Sequence, residues 1–137
     1  MTTYENTPVE IVSFGYGHGL ALAPKAHATF DVRHHFKDPH INPALRYLTA
    51  HDTQVMNAVM GTPGIPRLVL AIIAMAHAFQ RGPQPGPITI AVGCVGGRHR
   101  SAAIAIEAAR LLERDGFLVT LTHRDLAKEV IERTRKV

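Results

Sequence analysis

Apolar positions along the chain keep two rhythms: short alternating or continuous runs, and longer stretches at helical spacing. Val9-Glu10-Ile11-Val12-Ser13-Phe14 and Ala28-Thr29-Phe30-Asp31-Val32-Arg33 are β-rich runs. Each is closed by breakers, Gly15-Tyr16-Gly17-His18-Gly19 after the first and His34-His35-Phe36-Lys37-Asp38-Pro39-His40 after the second. Both predict a strand followed by a loop. From Asp52 or Thr53, Val55, Met56, Val59 and Met60 recur at helical spacing, and Gly61 stands where a short helix ends. Gly61-Thr62-Pro63-Gly64 is turn chemistry, and Pro66 suits the opening of the next helix because its missing N–H costs nothing in a first turn. Residues 67–81 are apolar on nearly every face, which predicts a helix buried against a sheet or another subunit.

The connection Gly82-Pro83-Gln84-Pro85-Gly86-Pro87 is too short for a domain linker. Ile88-Thr89-Ile90-Ala91-Val92 follows as a nearly continuous apolar run, the pattern of a central strand covered on both faces. After a glycine-rich loop, Ser101 is a good N-cap for a helix with Ile104, Ala108, Leu111 and Leu112 on one stripe, closed by Gly116. Residues 117–122 predict a further strand, and Asp125 a cap for a final helix using Leu126 and Val130. Residues 88–122 therefore form a βαβ unit, which requires parallel strands. The expectation is an α/β fold: one domain over residues 1–137, a mostly parallel or mixed sheet, and helices on both faces.

Composition narrows the class. With 46% hydrophobic and 19% charged residues in 137, the chain is globular and has room for one core. The formal net charge of +4 is unevenly placed: residues 1–68 carry five Lys/Arg and five Asp/Glu, residues 69–137 carry ten and six. An anionic partner is expected, met by the second half. A lone cysteine, Cys94, forms no internal disulfide, which fits a reducing cytoplasm. The N-terminus lacks the basic-then-apolar order of a secretory signal, and the longest apolar run, residues 68–79, is far shorter than the ~20 residues that span a bilayer. No membrane association is expected.

The densest chemistry falls at Gly93-Cys94-Val95-Gly96-Gly97-Arg98-His99-Arg100-Ser101. A glycine-rich turn from a parallel strand into a helix N-terminus points backbone N–H groups and the positive end of the helix dipole at one spot, where anions bind. Gly96 and Gly97 allow close approach or positive φ, and Arg98, His99 and Arg100 add charge-assisted donors. Ligands of open α/β sheets also sit at the carboxyl ends of strands, where this loop must be. The plain alternative is a strand-to-helix turn with solvated arginines. No G-x-x-x-x-G-K-[ST] occurs, so ATP hydrolysis is unsupported. Gly15-x-Gly17-x-Gly19 has the wrong spacing for a dinucleotide fingerprint and reads as a flexible or ligand-lining turn.

A second chemistry competes for the same loop. Cys94, Arg100 and Ser101 match the C-x5-R-S pattern of cysteine-dependent phosphatases, in which a thiolate attacks phosphorus, Arg holds the equatorial oxygens and Ser assists breakdown. Gly93 stands where that signature carries His, and no general-acid loop is recognisable, with only Asp31 and Asp125 as candidates. The plainer reading of Cys94 is a small apolar residue buried at a strand end.

A resemblance then covers nearly the whole chain. Ser13-Phe14-Gly15-Tyr16-Gly17-His18-Gly19, Phe30-Asp31-Val32-Arg33, Asp38-Pro39-His40, Leu45-Arg46 with Leu48-Thr49, the loop from Gly93 to Ser101, and His123-Arg124 occur in the order and spacing of the C-terminal domain of the RNase adapter protein RapZ family. The resemblance implies a non-catalytic α/β domain that binds RNA, oligomerises, and holds a phosphorylated amino sugar or similar anion. Carried over by position, Asp31, Arg33, Gly96, Gly97, Arg98, His99, Arg100 and Ser101 would line that pocket, with His18, His40 and His123 at its rim. Full-length members carry an N-terminal kinase-like domain with a Walker A loop, which this sequence lacks. Any nucleotide-dependent control is therefore expected to be lost or supplied by another chain. Further departures are Gly17 where a basic residue commonly precedes the first motif His, Ile41 in place of an aromatic, and Val95 in place of a small hydroxyl residue.

The remaining candidates are weaker. Lys128, Arg133, Arg135 and Lys136 make the C-terminal end basic, diluted by Glu129 and Glu132, and with Tyr16 are the expected RNA contacts. Aromatic content of 6% without Trp leaves Tyr16, Phe36 and Tyr47 as the exposed stacking candidates, so RNA binding would rest on phosphates and respond to salt. His34, His35 and His40 fit no zinc spacing, so neither a metal nor another cofactor is expected; His77 reads as a core or interface histidine. The expected function is a non-enzymatic regulatory module coupling a phosphorylated metabolite to RNA or to a protein such as a nuclease or kinase-like subunit. The alternatives are the phosphatase and an oligomeric scaffold assembling through residues 67–81.

Overall fold

The computed structural model describes residues 7–18 and 22–131. Four strands, β1 (Pro8–Gly15), β2 (Ala28–Asp31), β3 (Ile88–Cys94) and β4 (Leu118–His123), pair in the order β2-β3-β1-β4, all parallel. Three helices complete the domain: α1 (Thr53–Met60), α2 (Ile65–Arg81) and α3 (Arg100–Arg114). A short 3₁₀ turn, Pro39–Ile41, is capped by Asp38, whose carboxylate accepts the His40 N–H at 3.0 Å. A single α/β domain with a parallel sheet is thus observed, and β3 occupies an interior position with Ile90, Ala91 and Val92 fully buried.

The register explains which side chains meet. Val9 pairs with Ile88, Ile11 with Ile90 and Ser13 with Val92, so alternate positions of neighbouring strands share one face. That face joins Val55, Val69, Ile72, Ile104 and Leu112 of the helices in one core. The steps from β2 to β3 and from β3 to β4 cross the sheet in the same direction, so right-handed crossovers put all three helices on the same side. The cover is therefore one-sided among the described helices, where helices on both faces were expected. The step from β1 to β2 runs the other way. The opposite face carries Val12, Phe14 and Ala91, with the Arg124 guanidinium 5.2 Å over the Phe14 ring and bonded to the Leu22 carbonyl.

Two expected helix ends differ. Ser101 lies inside α3 instead of capping it: His99 is the N-cap, without a side-chain cap bond, and the Ser101 hydroxyl is buried and donates to the Phe14 carbonyl at 3.2 Å. The helix expected after Asp125 is a turn among the described residues, closed by Lys128 N–H to the Asp125 carbonyl at 3.1 Å. Its cause is that the Asp125 carboxylate is engaged elsewhere and does not cap the following N–H groups.

Candidate functional site

The carboxyl ends of the four parallel strands gather most of the expected residues. Loop 95–99 leaves β3, residues 16–18 leave β1, residues 32–38 leave β2 and residues 124–128 leave β4. The backbones from β1 and β3 run on together past the sheet, with Tyr16 N–H to Cys94 O at 2.8 Å and Gly17 N–H to Val95 O at 2.9 Å. This approach requires the glycines. A Cβ on Gly15 would lie 2.6 Å from the Gly96 carbonyl carbon, and one on Gly97, at φ +75°, would lie 2.9 Å from Gly15 N. A Cβ on Gly96 would meet nothing within 4 Å, and the Gly96 carbonyl is bonded to His18 Nε2 at 2.9 Å.

Asp125 closes this knot. Fully buried, it accepts the Gly15 N–H at 2.8 Å and Arg124 at 2.8 and 3.0 Å, and pairs with Lys128 Nζ at 2.6 Å. Burial alone would raise its carboxyl, yet the hydrogen bonds from Arg124, Lys128 and Gly15 outweigh it and hold the pKa down to about 2.

The cationic side chains of the loop turn inward. Arg98 donates to the carbonyls of Tyr47 (2.6 Å), Leu48 (3.3 Å), Lys128 (3.1 Å) and Leu126 (3.5 Å). Arg100, 2% exposed, donates to the carbonyls of Val32, Arg33 and Phe36 and pairs with Asp38 at 3.2 Å. His99 Nε2 lies 3.0 and 2.9 Å from the carbonyls of Leu45 and Leu48, and burial pushes its pKa down. These three residues stitch loops 32–38, 45–50 and 126–128 onto the start of α3. Cys94 is buried, with its sulfur 3.1 Å from Ser101 Oγ and accepting the Gly97 N–H at 3.3 Å. The terminal nitrogens of Arg100, the residue of the C-x5-R-S pattern that would grip a phosphoryl group, are bonded to carbonyls and Asp38, and its Nε is buried without a partner.

Other groups remain accessible. Arg33 stacks on Tyr16, its guanidinium 3.9 Å from the ring centroid, and forms a two-point pair with Asp31 at 2.6 and 2.9 Å. The hydrogen bond from Arg33 holds the Asp31 carboxyl down to about 2. Both side chains are about one-third exposed. His123 Nδ1 lies 2.6 Å from Ser13 Oγ while its Nε2 is buried without a partner, and burial together with nearby His51, 5.6 Å between rings, lowers its pKa. His40 lies on the 3₁₀ turn, its N–H donating to the Asp38 carboxylate at 3.0 Å and its carbonyl accepting Arg46 Nε at 2.9 Å. Arg133, Arg135 and Lys136 lie outside the described residues.

The sequence reading missed Arg124 and His51 as members of this edge. Arg124 stands immediately after a strand, the same position that singled out the β3 loop, whereas nothing in the sequence places His51 beside His123. Among the described residues, no group of three or more His, Cys, Asp or Glu side chains is arranged to hold a metal ion, and no single helix is long and apolar enough to cross a membrane.

The RapZ C-terminal domain family matches residues 7–127. Similar curated proteins share the name nucleotide-binding protein. The one from Moorella thermoacetica is 35% identical over 125 residues, covering 88% of this chain and 40% of the relative. That from Rubrobacter xylanophilus is 42% identical over 125 residues, covering 86% and 40%. One from a Parafrankia species is 38% identical over 122 residues, covering 87% and 41%. The chain thus spans about 40% of the length of these relatives.

Proposed function

The chain belongs to the RapZ C-terminal domain family, and from that premise we propose that it is a non-enzymatic regulatory module binding a phosphorylated small metabolite, and RNA, at the carboxyl edge of its sheet. The observation that carries this reading is the convergence of charge there. Arg33, Arg98, Arg100, Arg124 and Lys128 stand around one edge with Asp31, Asp38 and Asp125, beside the N-terminus of α3. Five cations stand with three carboxylates, and His99 and His123, whose pKa values burial lowers, lie at the same strand ends.

The roles within the site divide. Arg98, His99 and Arg100 are positioning residues, because their bonds to carbonyls of neighbouring loops and the Arg100 pair with Asp38 hold those loops on the start of α3, while Nε of each arginine is buried without a partner. Arg33 is the direct ligand group: its planar fork, held over Tyr16, can exchange Asp31 for two phosphate oxygens. Backbone N–H groups of the loop and of the first turn of α3 supply the remaining donors. Lys128 and Tyr16 are the described residues proposed for RNA, with Arg133, Arg135 and Lys136 beyond them. The relatives' name belongs to chains more than twice as long, and a phosphorylated ligand is the chemistry that this edge and that name have in common.

The test is calorimetric titration of the complete chain with inorganic phosphate, glucosamine 6-phosphate and a structured RNA at low and moderate salt. Saturable binding of the sugar phosphate, weakened in Arg33→Ala, supports the reading. Absence of heat with all three probes at low salt sinks it.

A further inference from the structure

The loop after β2 and the end of α1 face each other across a cleft of about 430 Å³. Residues 37–45 supply one wall and residues 57–63 the other. The volume suits a small molecule, and Pro39, Leu45 and Pro63 give the cleft apolar surface. Its polar side chains are Lys37, Asn42, Asn57 and Thr62, none of which belongs to the candidate anion site.

Once the bonds within the protein are counted, the two walls are left with opposite chemistry. On the first, the Asn42 side-chain oxygen accepts the Ala44 N–H at 3.0 Å, and its main-chain carbonyl accepts those of Leu45 and Arg46 at 2.9 and 3.1 Å. The Pro39 carbonyl accepts the Asn42 N–H at 3.0 Å. What remains is the Asn42 amide nitrogen and the Lys37 ammonium. Lys37 makes no ion pair among the described residues, since the adjacent Asp38 is taken by Arg100. Both remaining groups only donate. On the second wall the Thr62 hydroxyl donates to the Ala58 carbonyl at 2.9 Å, which leaves its lone pairs. Pro63 has no N–H to offer the last turn of α1, and among the described residues no backbone N–H reaches the Gly61 carbonyl. A helix C-terminus also carries the negative end of its dipole, so this wall accepts hydrogen bonds and favours a cation.

We propose that the cleft is a second ligand site and that its ligand is a free amino acid. The carboxylate meets Lys37 and Asn42, the ammonium meets Thr62 and the end of α1, and the side chain lies over Pro39, Leu45 and Pro63. A molecule carrying one of the two charges leaves one wall unmet, whereas a zwitterion meets both. The cleft shares a wall with the anion edge, because Arg100 holds the Phe36 carbonyl and Asp38, and His99 holds the Leu45 carbonyl. The proposal nevertheless stands apart from the anion reading, since the two ligands touch different residues.

Thermal unfolding of the complete chain with each standard amino acid at about 10 mM tests it. At about ten times its dissociation constant, a ligand of the folded state raises the midpoint by about 5 °C, and at least one amino acid should do so. For that amino acid, the analogue lacking the amino group and the analogue whose carboxylate is a carboxamide should each bind about tenfold more weakly or worse. Lys37 is exposed, so Lys37→Met should fold normally and weaken binding by about the same factor. No shift with any amino acid, undiminished affinity for either analogue, or undiminished affinity in Lys37→Met would overturn the assignment.

Discussion

Gly15 donates its backbone N–H to Asp125 Oδ2 at 2.8 Å, a bond between residues 110 apart that ties the end of β1 to the turn after β4. Because the same carboxylate neutralises Arg124 and Lys128, it anchors both the crossing of two loops and two cations of the candidate site.

Asp125→Asn should therefore be destabilising. Asp125 is buried while its partners Arg124 and Lys128 keep 24% and 47% of their side-chain exposure, so loss of its charge should cost about 2 kcal/mol, the size of its pKa depression. The difference should depend on pH with a defined sign. The carboxyl titrates at about 2 when folded and at 3.8 otherwise, so the unfolded chain binds the proton first on acidification. Its contribution is whole above about pH 4 and is lost as pH falls through 2. Urea unfolding of the chain and the variant at pH 6 and pH 3 measures this; a gap that widens on acidification would contradict it.

Gly96 and Gly97 are adjacent in sequence and should behave oppositely. Gly97→Ala forces a side chain into φ +75° and to within 2.9 Å of the Gly15 backbone nitrogen. Neither that backbone nor the strand behind it can retreat cheaply, so a loss of about 2 kcal/mol or more is expected. Gly96→Ala points into open space, and its stability should change by no more than about 0.5 kcal/mol. Melting temperatures of the two variants, side by side, decide the matter.

That contrast marks the limit of what was legible in the sequence. Local signals placed the elements well: the spacing of Val55, Met56 and Val59 placed α1, the apolar run from Ile88 placed β3, and Gly116 placed the end of α3. The position of the β3 loop at the strand ends also followed. Its internal roles did not, because they depend on segments that reach the loop only in the folded chain. Arg100 is drawn inward by the carbonyls of residues 32–36, and Arg98 by those of residues 47, 48, 126 and 128. Solvated arginines and inward-bonded arginines have the same sequence. Asp125 likewise matches a helix cap, and only the Gly15 N–H and the two neighbouring cations decide otherwise.

Arg33 and Arg100 should separate in kinds of effect. Arg33→Ala removes a partly exposed fork that, among the described residues, is hydrogen-bonded through its side chain to Asp31, so thermal stability should barely move while affinity for a sugar phosphate falls about tenfold, near the contribution of one charge-assisted bidentate contact. Arg100→Lys keeps the charge but cannot reach three carbonyls and Asp38 at once, so it should lower stability and affinity together. Denaturant midpoints set beside titration curves would show the split. A lysine variant of normal stability that fails to bind would make Arg100 a direct ligand group instead.

The buried histidines should set how stability responds between neutral and mildly acidic pH. Burial lowers the pKa of His99 and of His123, the latter also through the neighbouring His51, so the unfolded chain binds protons at these positions more readily than the folded one. Stability is then whole above about pH 6.5, the unfolded value, and falls as pH drops below it until the folded groups also titrate. His99→Gln should flatten this slope while costing stability at neutral pH, because its ring nitrogen lies within bonding distance of the Leu45 and Leu48 carbonyls. His123→Gln should flatten it with a smaller neutral cost, since Nε2 has no partner to lose. Anion binding adds an opposing dependence: a bound phosphate favours protonated histidine at the strand ends, so saturating ligand should protect the fold more at pH 6 than at pH 8. Unfolding midpoints across pH 5 to 8, with and without sugar phosphate, read both effects. A ligand-induced shift that is the same at every pH would remove histidine protonation from the binding reaction.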